Sequence, residues 1–210
     1  MSKLEQLIND LCPKGVEFYP ITEIVDSYIG LVTTMTIHYS SEGARLIYNS
    51  NIKQNKFEFK EVKYLAREFA NKNKNKMNKL GDIVTVHTGD VGTSAIIKEE
   101  LVDSIGFATI TSRVKNKNRV SNAYVCTFLN SHICKSQIIK MIKGDRDNLN
   151  LKDFNKIIVP LPPLKVQEEI VRILDTFTEL TAELTAELTA RKKQYEYYRN
   201  MLLSFPRGEV

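Results

Sequence analysis

Several familiar signatures are missing from this sequence, and each absence removes a class of function. No apolar run approaches the ~20 residues a membrane-spanning helix needs, and the opening Met1-Ser-Lys-Leu-Glu-Gln6 lacks the hydrophobic region of a secretion signal. A cytoplasmic location is therefore expected. Cysteine is scarce: Cys12, Cys126 and Cys134 are odd in number and never at C-x-x-C spacing, which favours reduced thiols over disulfides or a metal cluster. His38, His87 and His132 are far apart and show no ligand spacing. There is no Gly-x-Gly dinucleotide fingerprint and no Asn/Asp-Pro-Pro-Tyr/Phe methylase motif. Thr88 to Ser94 has the small residues of a phosphate loop, but neither a Gly-Lys-Ser/Thr ending nor a following helix. Cofactor chemistry thus has no obvious home. Glu58-Phe-Lys60 and Glu61-Val-Lys63 match the Glu-x-Lys fragment of a nuclease metal site, yet such triplets arise by chance in lysine-rich chains and read more simply as surface charges.

Proline and glycine are also absent from Leu164 to Phe205, and this absence is the most informative of all. The stretch predicts one helix, roughly 60 Å long at ~1.5 Å per residue. Ile170, Leu174, Phe177, Leu184, Leu188, Tyr195, Tyr198 and Leu202 recur at helical spacing, so one stripe must be buried against a second helix of similar length. Its middle is a tetrapeptide repeat, Thr181-Ala-Glu-Leu184 followed by Thr185-Ala-Glu-Leu188. Four residues exceed the ~3.6 of one turn, so the leucines drift by about 40° per repeat. Glu168, Glu169, Asp175, Glu179, Glu183 and Glu187 crowd the first part of the helix; Arg191, Lys192, Lys193 and Arg199 crowd the last. That asymmetry suits the helix dipole and favours an antiparallel partner.

The remaining composition is that of an ordinary globular chain of 210 residues, 42% hydrophobic and 26% charged, with room for one core and an appendage. A net charge of +5 favours a polyanionic partner, and the placement of the charge matters more than the total. Leu4, Leu7, Ile8 and Leu11 predict a short amphipathic helix ending before Pro13. Leu31 to Ile37 is either a strand or a polar loop. Ala44 to Ile52 and Lys56 to Leu65 read as strands, the second alternating aromatic and charged residues. Asn71 to Lys79 should be an exposed basic loop, solvated or touching phosphate. Lys79 to Ile97 predicts strand, turn at Gly89 to Gly92, and strand. Gly106 to Val114 is strand-like and leads into the basic run Arg113, Lys115, Lys117 and Arg119. Asn122 to Met141 predicts two helices broken near Asn130 and Ser131. Lys143 to Asn148 is a polar loop whose Arg146 suits bidentate contact with guanine or phosphate. A last strand at Ile157 to Val159 precedes Pro160, Pro162 and Pro163.

Gly81-Asp-Ile-Val-Thr85, Thr88-Gly-x-Val-Gly-x-Ser-Ala95, Asn148-Leu-Asn-Leu-x-Asp153, Ile157 to Pro163 (IIVPLPP) and Gln167-x-x-Ile-Val-x-Ile-Leu-Asp175, in that order, resemble the specificity subunit of type I restriction-modification systems. The resemblance implies an α+β target-recognition domain over 1–160, a conserved spacer helix over 161–206 that pairs antiparallel as a coiled coil, and a tail at 207–210. A full subunit of that family carries two such units, so this chain resembles a half-sized form completed by a second copy or another half-subunit. The implied role is non-catalytic: reading a bipartite site on double-stranded DNA and holding DNA adenine methyltransferase subunits, with a restriction and translocation subunit joining. S-adenosylmethionine, ATP and Mg²⁺ would then be bound by the partner subunits. An assembly or inhibitory protein that holds methyltransferase subunits without reading DNA is the alternative.

Base reading is expected of Tyr48, Asn49, Asn51 and Lys53, of Thr88, Asp90, Thr93 and Ser94 at the tip, and of Arg146 with Asn148, while His87 beside the tip is a candidate DNA contact. Phosphate contacts are expected of Lys72, Lys74, Lys76, Arg113, Lys115, Lys117 and Arg119. The helical stripe from Ile170 to Leu202 supplies the dimer interface, and rod length sets the spacing of the two half-sites.

Overall fold

The computed structural model describes residues 2–142 and 148–205. In chain order the elements are α1 (Lys3–Leu11), β1 (Phe18–Pro20), α2 (Ile21–Ile24), β2 (Val25–Ile29), β3 (Tyr39–Ser40), β4 (Ala44–Tyr48), β5 (Ile52–Lys53), β6 (Lys56–Phe57), β7 (Tyr64–Leu65), α3 (Arg67–Lys72), β8 (Ile83–Val86), β9 (Ser94–Ile96), β10 (Ile105–Phe107), β11 (Thr109–Val114), α4 (Asn122–Leu129), α5 (His132–Met141), α6 (Leu151–Phe154), β12 (Ile158–Pro160) and α7 (Leu164–Leu202). This is the expected α+β arrangement of sheets and short helices followed by one long helix. The chain divides into two units, Met1–Glu169 and Ile170–Val210. The first runs past Pro160 because the opening turns of α7 belong to it. Val166, Gln167 and Glu169 are buried there. Gln167 accepts from the Ser121 amide at 2.9 Å and donates to the carbonyls of Arg119 and Pro162.

The first unit holds two four-stranded sheets, in the orders β2-β11-β8-β9 and β10-β4-β7-β3, and two two-stranded ones, β1-β12 and β5-β6. The first four-stranded sheet is antiparallel throughout; in the second, β10 runs parallel to β4. Alternation along β4 makes it the wall between two cores. Leu46 joins Leu31, Met35, Leu65 and Ile105 on one side, while Ile47 joins Ile52, Val84, Val86 and Ile97 on the other. Ser121, Ser131 and Asn150 cap α4, α5 and α6 with side-chain oxygens. Caps at Ser121 and Ser131 are why Asn122 to Met141 forms two helices.

Three expected strands differ. Gly106 to Val114 is two strands in different sheets, joined by Ala108 in the left-handed region at φ 48°. The backbones approach closely here: a Cβ on Gly30 would collide with the Gly106 carbonyl oxygen. Lys56 to Leu65 is not one strand, because β6 ends at Phe57 and pairing resumes only at β7. Asn51 holds that break, its amide donating to the Glu58 carbonyl at 3.2 Å while its backbone carbonyl accepts from the Glu58 amide at 2.8 Å. Ala44 to Ile52 likewise ends as a strand at Tyr48 and turns through Asn49–Asn51. Nor is Asn71 to Lys79 one exposed loop: it holds the end of α3, a 3₁₀ turn at Lys74–Lys76, and the fully buried Asn78. Asn78 donates to Ser104 Oγ and accepts from Thr111 Oγ1.

Candidate nucleic-acid interface

The register of the two sheets decides which sequence-predicted residues meet. Phe107 lies opposite Tyr48, and Thr109 opposite Val86, so the ends of β4 and β8 converge on the Ala108 corner. Asn49 clasps them, donating to the Ala108 carbonyl at 3.1 Å and accepting from the His87 amide at 2.9 Å. Thr88 bridges to Asn148, and the Leu149 amide donates to the His87 carbonyl at 2.8 Å. Tyr48, Asn49, His87, Thr88 and Asn148 therefore share one end of the domain. His87 is half-buried, which lowers its imidazole pKa, and its Nδ1 lies 2.8 Å from Thr88 Oγ1.

The β5–β6 hairpin docks against the same end. Asn55, at φ 61°, turns the hairpin and donates its amide to the Ser94 carbonyl at 3.0 Å. Asn130, at the break between α4 and α5, accepts from the Ser94 amide and donates to both the Ser94 carbonyl and Asn55 Oδ1. Lys135 on α5 reaches Asp90 at 2.9 Å and Thr93 Oγ1 at 2.8 Å. Hydrogen bonds from Thr93 and Lys135 hold the Asp90 carboxyl below its usual range. Beside the hairpin an open groove of ≈ 390 Å³ is lined by Tyr48, Ser50, Asn51, Lys53, Lys60 and Lys63 together with Glu58 and Glu61. Both glutamates are paired, Glu58 with Lys56 at 2.6 Å and Glu61 with Lys63 at 3.7 Å. Among the described residues no cluster of His, Cys, Asp or Glu has the makings of a metal site.

Other predicted residues serve the fold or lie elsewhere. Ser94 is fully buried, bonded to Thr85 Oγ1 and the Gly92 carbonyl, and Thr93 and Asn51 are also buried. Lys76 donates to the carbonyls of Ile29 and Gly30 at 2.6 and 3.0 Å. Arg113 forms a bidentate pair with the buried Asp82 at 2.8 and 2.6 Å, which raises the arginine pKa. Lys72 pairs with Glu68, while Lys74 is exposed. Lys115, Lys117 and Arg119 follow the opposite end of β11, about 17 Å from Thr109 at ~3.3 Å per residue. The two basic runs thus do not share one end. Lys115 bonds the Thr22 carbonyl, and Arg119 stacks over Tyr19 at 4.6 Å. Arg146 lies outside the described residues. Sequence reading passed over Asn55, Lys60, Lys63, Asn130 and Lys135. Lys60 and Lys63 were visible only as Glu-x-Lys pairs on an expected strand; Asn130 was visible only as a helix break.

In the second unit, α7 leaves its stripe uncovered. Phe177, Leu184, Tyr195 and Leu202 are 62–67% exposed. Threonines of the repeat return their hydroxyls to carbonyls four residues back, as in Thr181 to Phe177 and Thr185 to Thr181, both at 2.7 Å. That bond satisfies the hydroxyl and favours a slight bend of the helix. Eight apolar positions are symmetric about Ala186: Leu184 mirrors Leu188, Phe177 mirrors Tyr195, Leu174 mirrors Tyr198, and Ile170 mirrors Leu202, whereas Ile173 and Leu180 mirror Arg199 and Lys192. At 3.6 residues per turn the eight fall within a band roughly 120° wide.

The chain matches the family description "Type I restriction modification DNA specificity domain" over residues 13–191. It is 52% identical over 75 residues to the EcoR124I/EcoR124II specificity subunit of Escherichia coli, a stretch covering 32% of this chain and 19% of that one. The HsdS subunit of Thermoanaerobacter tengcongensis superposes with a TM-score of 0.63 at 15% identity, covering 94% of this chain and 52% of that one. A chain of a type I restriction-modification assembly superposes with a TM-score of 0.66 at 20% identity, over 88% and 44%. The chain thus spans about half the length of these solved relatives.

Proposed function

Because the chain belongs to the type I restriction-modification DNA specificity family, we propose that it reads one half of a bipartite DNA site and pairs antiparallel with a second copy to read the other. The observation that carries the reading half is the convergence at one end of the domain. Tyr48, Asn49, His87, Thr88 and Asn148 meet beside a groove flanked by Lys53, Lys60 and Lys63. Polar groups that can meet base edges sit within a basic surround that can meet phosphates.

The mirror order of the α7 stripe supports self-pairing. In an antiparallel two-fold dimer each residue meets the mirror image of itself, so the eight positions symmetric about Ala186 pack apolar on apolar, with Ile173 and Leu180 meeting the stems of Arg199 and Lys192. The same arrangement sets the acidic part of one helix beside the basic part of the other. Exposed pairs select orientation, and burial of Leu, Phe and Tyr supplies affinity.

The reading implies a non-catalytic subunit in the cytoplasm. Methyltransferase subunits would bring S-adenosylmethionine, and a restriction subunit would bring ATP and Mg²⁺ chemistry. The test is a pull-down of the chain with its methyltransferase subunit over a library of duplex DNA. Selective retention of an interrupted motif is expected. Methyltransferase capture without sequence selection would instead favour the assembly or inhibitory role.

A further inference from the structure

We propose that α1 and the groove at its end dock the segment Leu203 to Phe205 of a second copy, closing each end of the helical seam. The proposal rests on the antiparallel self-pairing above and adds a contact that the seam alone does not require. α1 is amphipathic, yet none of its residues is buried: Ile8 is 38% and Leu11 41% exposed. Lys3 reaches Glu169 at 2.8 Å, and Leu11 shares a groove of ≈ 590 Å³ with Cys12, Val16 and Leu161 to Leu164. α1 therefore runs alongside the opening turns of α7.

Helix length fixes what arrives there. Val166, Gln167 and Glu169 are covered by their own unit, so the stripe emerges at the half-buried Ile170 and is exposed from Leu174. The mirror image of Ile170 is Leu202, the last residue of the helix. The free face and the helix end together, and the next residues, Leu203 and Phe205, lead on past Ile170 toward the turn of α7 that carries Glu169, beside α1. They are 66% and 78% exposed, unexpected for large apolar side chains unless they are covered on assembly. Charge agrees: α1 carries Glu5 and Asp10 against Lys3, and Arg199 is the cation nearest the approaching helix end.

The test measures self-association of the full chain by analytical ultracentrifugation. Ile8→Gln with Leu11→Gln, and separately Leu203→Glu with Phe205→Glu, should each weaken the dimer at least about tenfold. Combined, they should weaken it by less than the product of the two effects, since both remove one contact. All four side chains are exposed, and an unchanged circular dichroism spectrum confirms that folding survives. As a second readout, a chain with Ile8→Cys is mixed with one carrying Phe205→Cys, both with Cys12→Ser. A reducible dimer should form in the mixture and in neither chain alone. Dimers of unchanged affinity in both double variants, with no cross-link in the mixture, overturn the docking and leave self-pairing standing. A wild-type chain that stays monomeric overturns the pairing itself.

Discussion

Inserting one further Thr-Ala-Glu-Leu unit after Leu188 perturbs the rod while leaving every reading residue untouched. The magnitude follows from helix geometry. With the stripe mirrored about Ala186, the two Ile170 residues of a dimer stand roughly 48 Å apart along the seam at ~1.5 Å per residue. Four added residues in each copy move the mirror point and lengthen that span by about 6 Å, with a turn of about 40°. At ~3.4 Å per base pair the shift amounts to one to two base pairs. The assay is single-molecule methylome sequencing of cells expressing the inserted chain with the methyltransferase. The expected motif keeps both half-sites and gains one or two unspecified base pairs between them. An altered half-site, or an unchanged gap, would refute the ruler.

Three smaller predictions concern the domain. Lys60→Ala with Lys63→Ala should weaken specific and random duplexes alike and lower the slope of log affinity against log salt by about 2, read by fluorescence anisotropy at several salt concentrations. Asp82→Asn should cost about 3 kcal/mol, because the buried carboxylate is the bidentate partner of Arg113, and the melting temperature of the domain should fall by about 6–12 °C. Burial lowers the His87 pKa in the folded chain, so the unfolded chain takes up the proton more readily. The stability due to the neutral ring is complete above ~6.5 and is lost as pH falls through the lowered folded value. Wild type should therefore lose more stability than His87→Gln on going from about pH 7 to about pH 5, as chemical denaturation would show.

What the sequence made legible was whatever local chemistry enforces. The long helix follows from the absence of Pro and Gly between Leu164 and Leu202, and the break between α4 and α5 from Ser131 as a cap. The hairpin of β8 and β9 follows from β-branched runs around Gly89 and Gly92. Features set by distant partners stayed hidden. Ala108 carries no mark of the left-handed turn that sends β10 and β11 into different sheets. Lys76 and Arg113 look like free cations in the sequence, and only the fold reveals the carbonyls and the carboxylate they satisfy. Thr93 and Ser94 look like tip hydroxyls, yet β9 turns them inward. Asn49, a predicted reader, proved also to be the clasp between two sheets, a role requiring His87 and Ala108 to be neighbours in space.

The central claim is that one copy of this chain reads one half-site and a second, identical copy reads the other. Methylome sequencing of cells expressing the unmodified chain as their sole specificity subunit, together with the methyltransferase, tests it most directly. An interrupted motif whose halves are inverted repeats of each other is the predicted result. A motif with two unrelated halves would contradict the account.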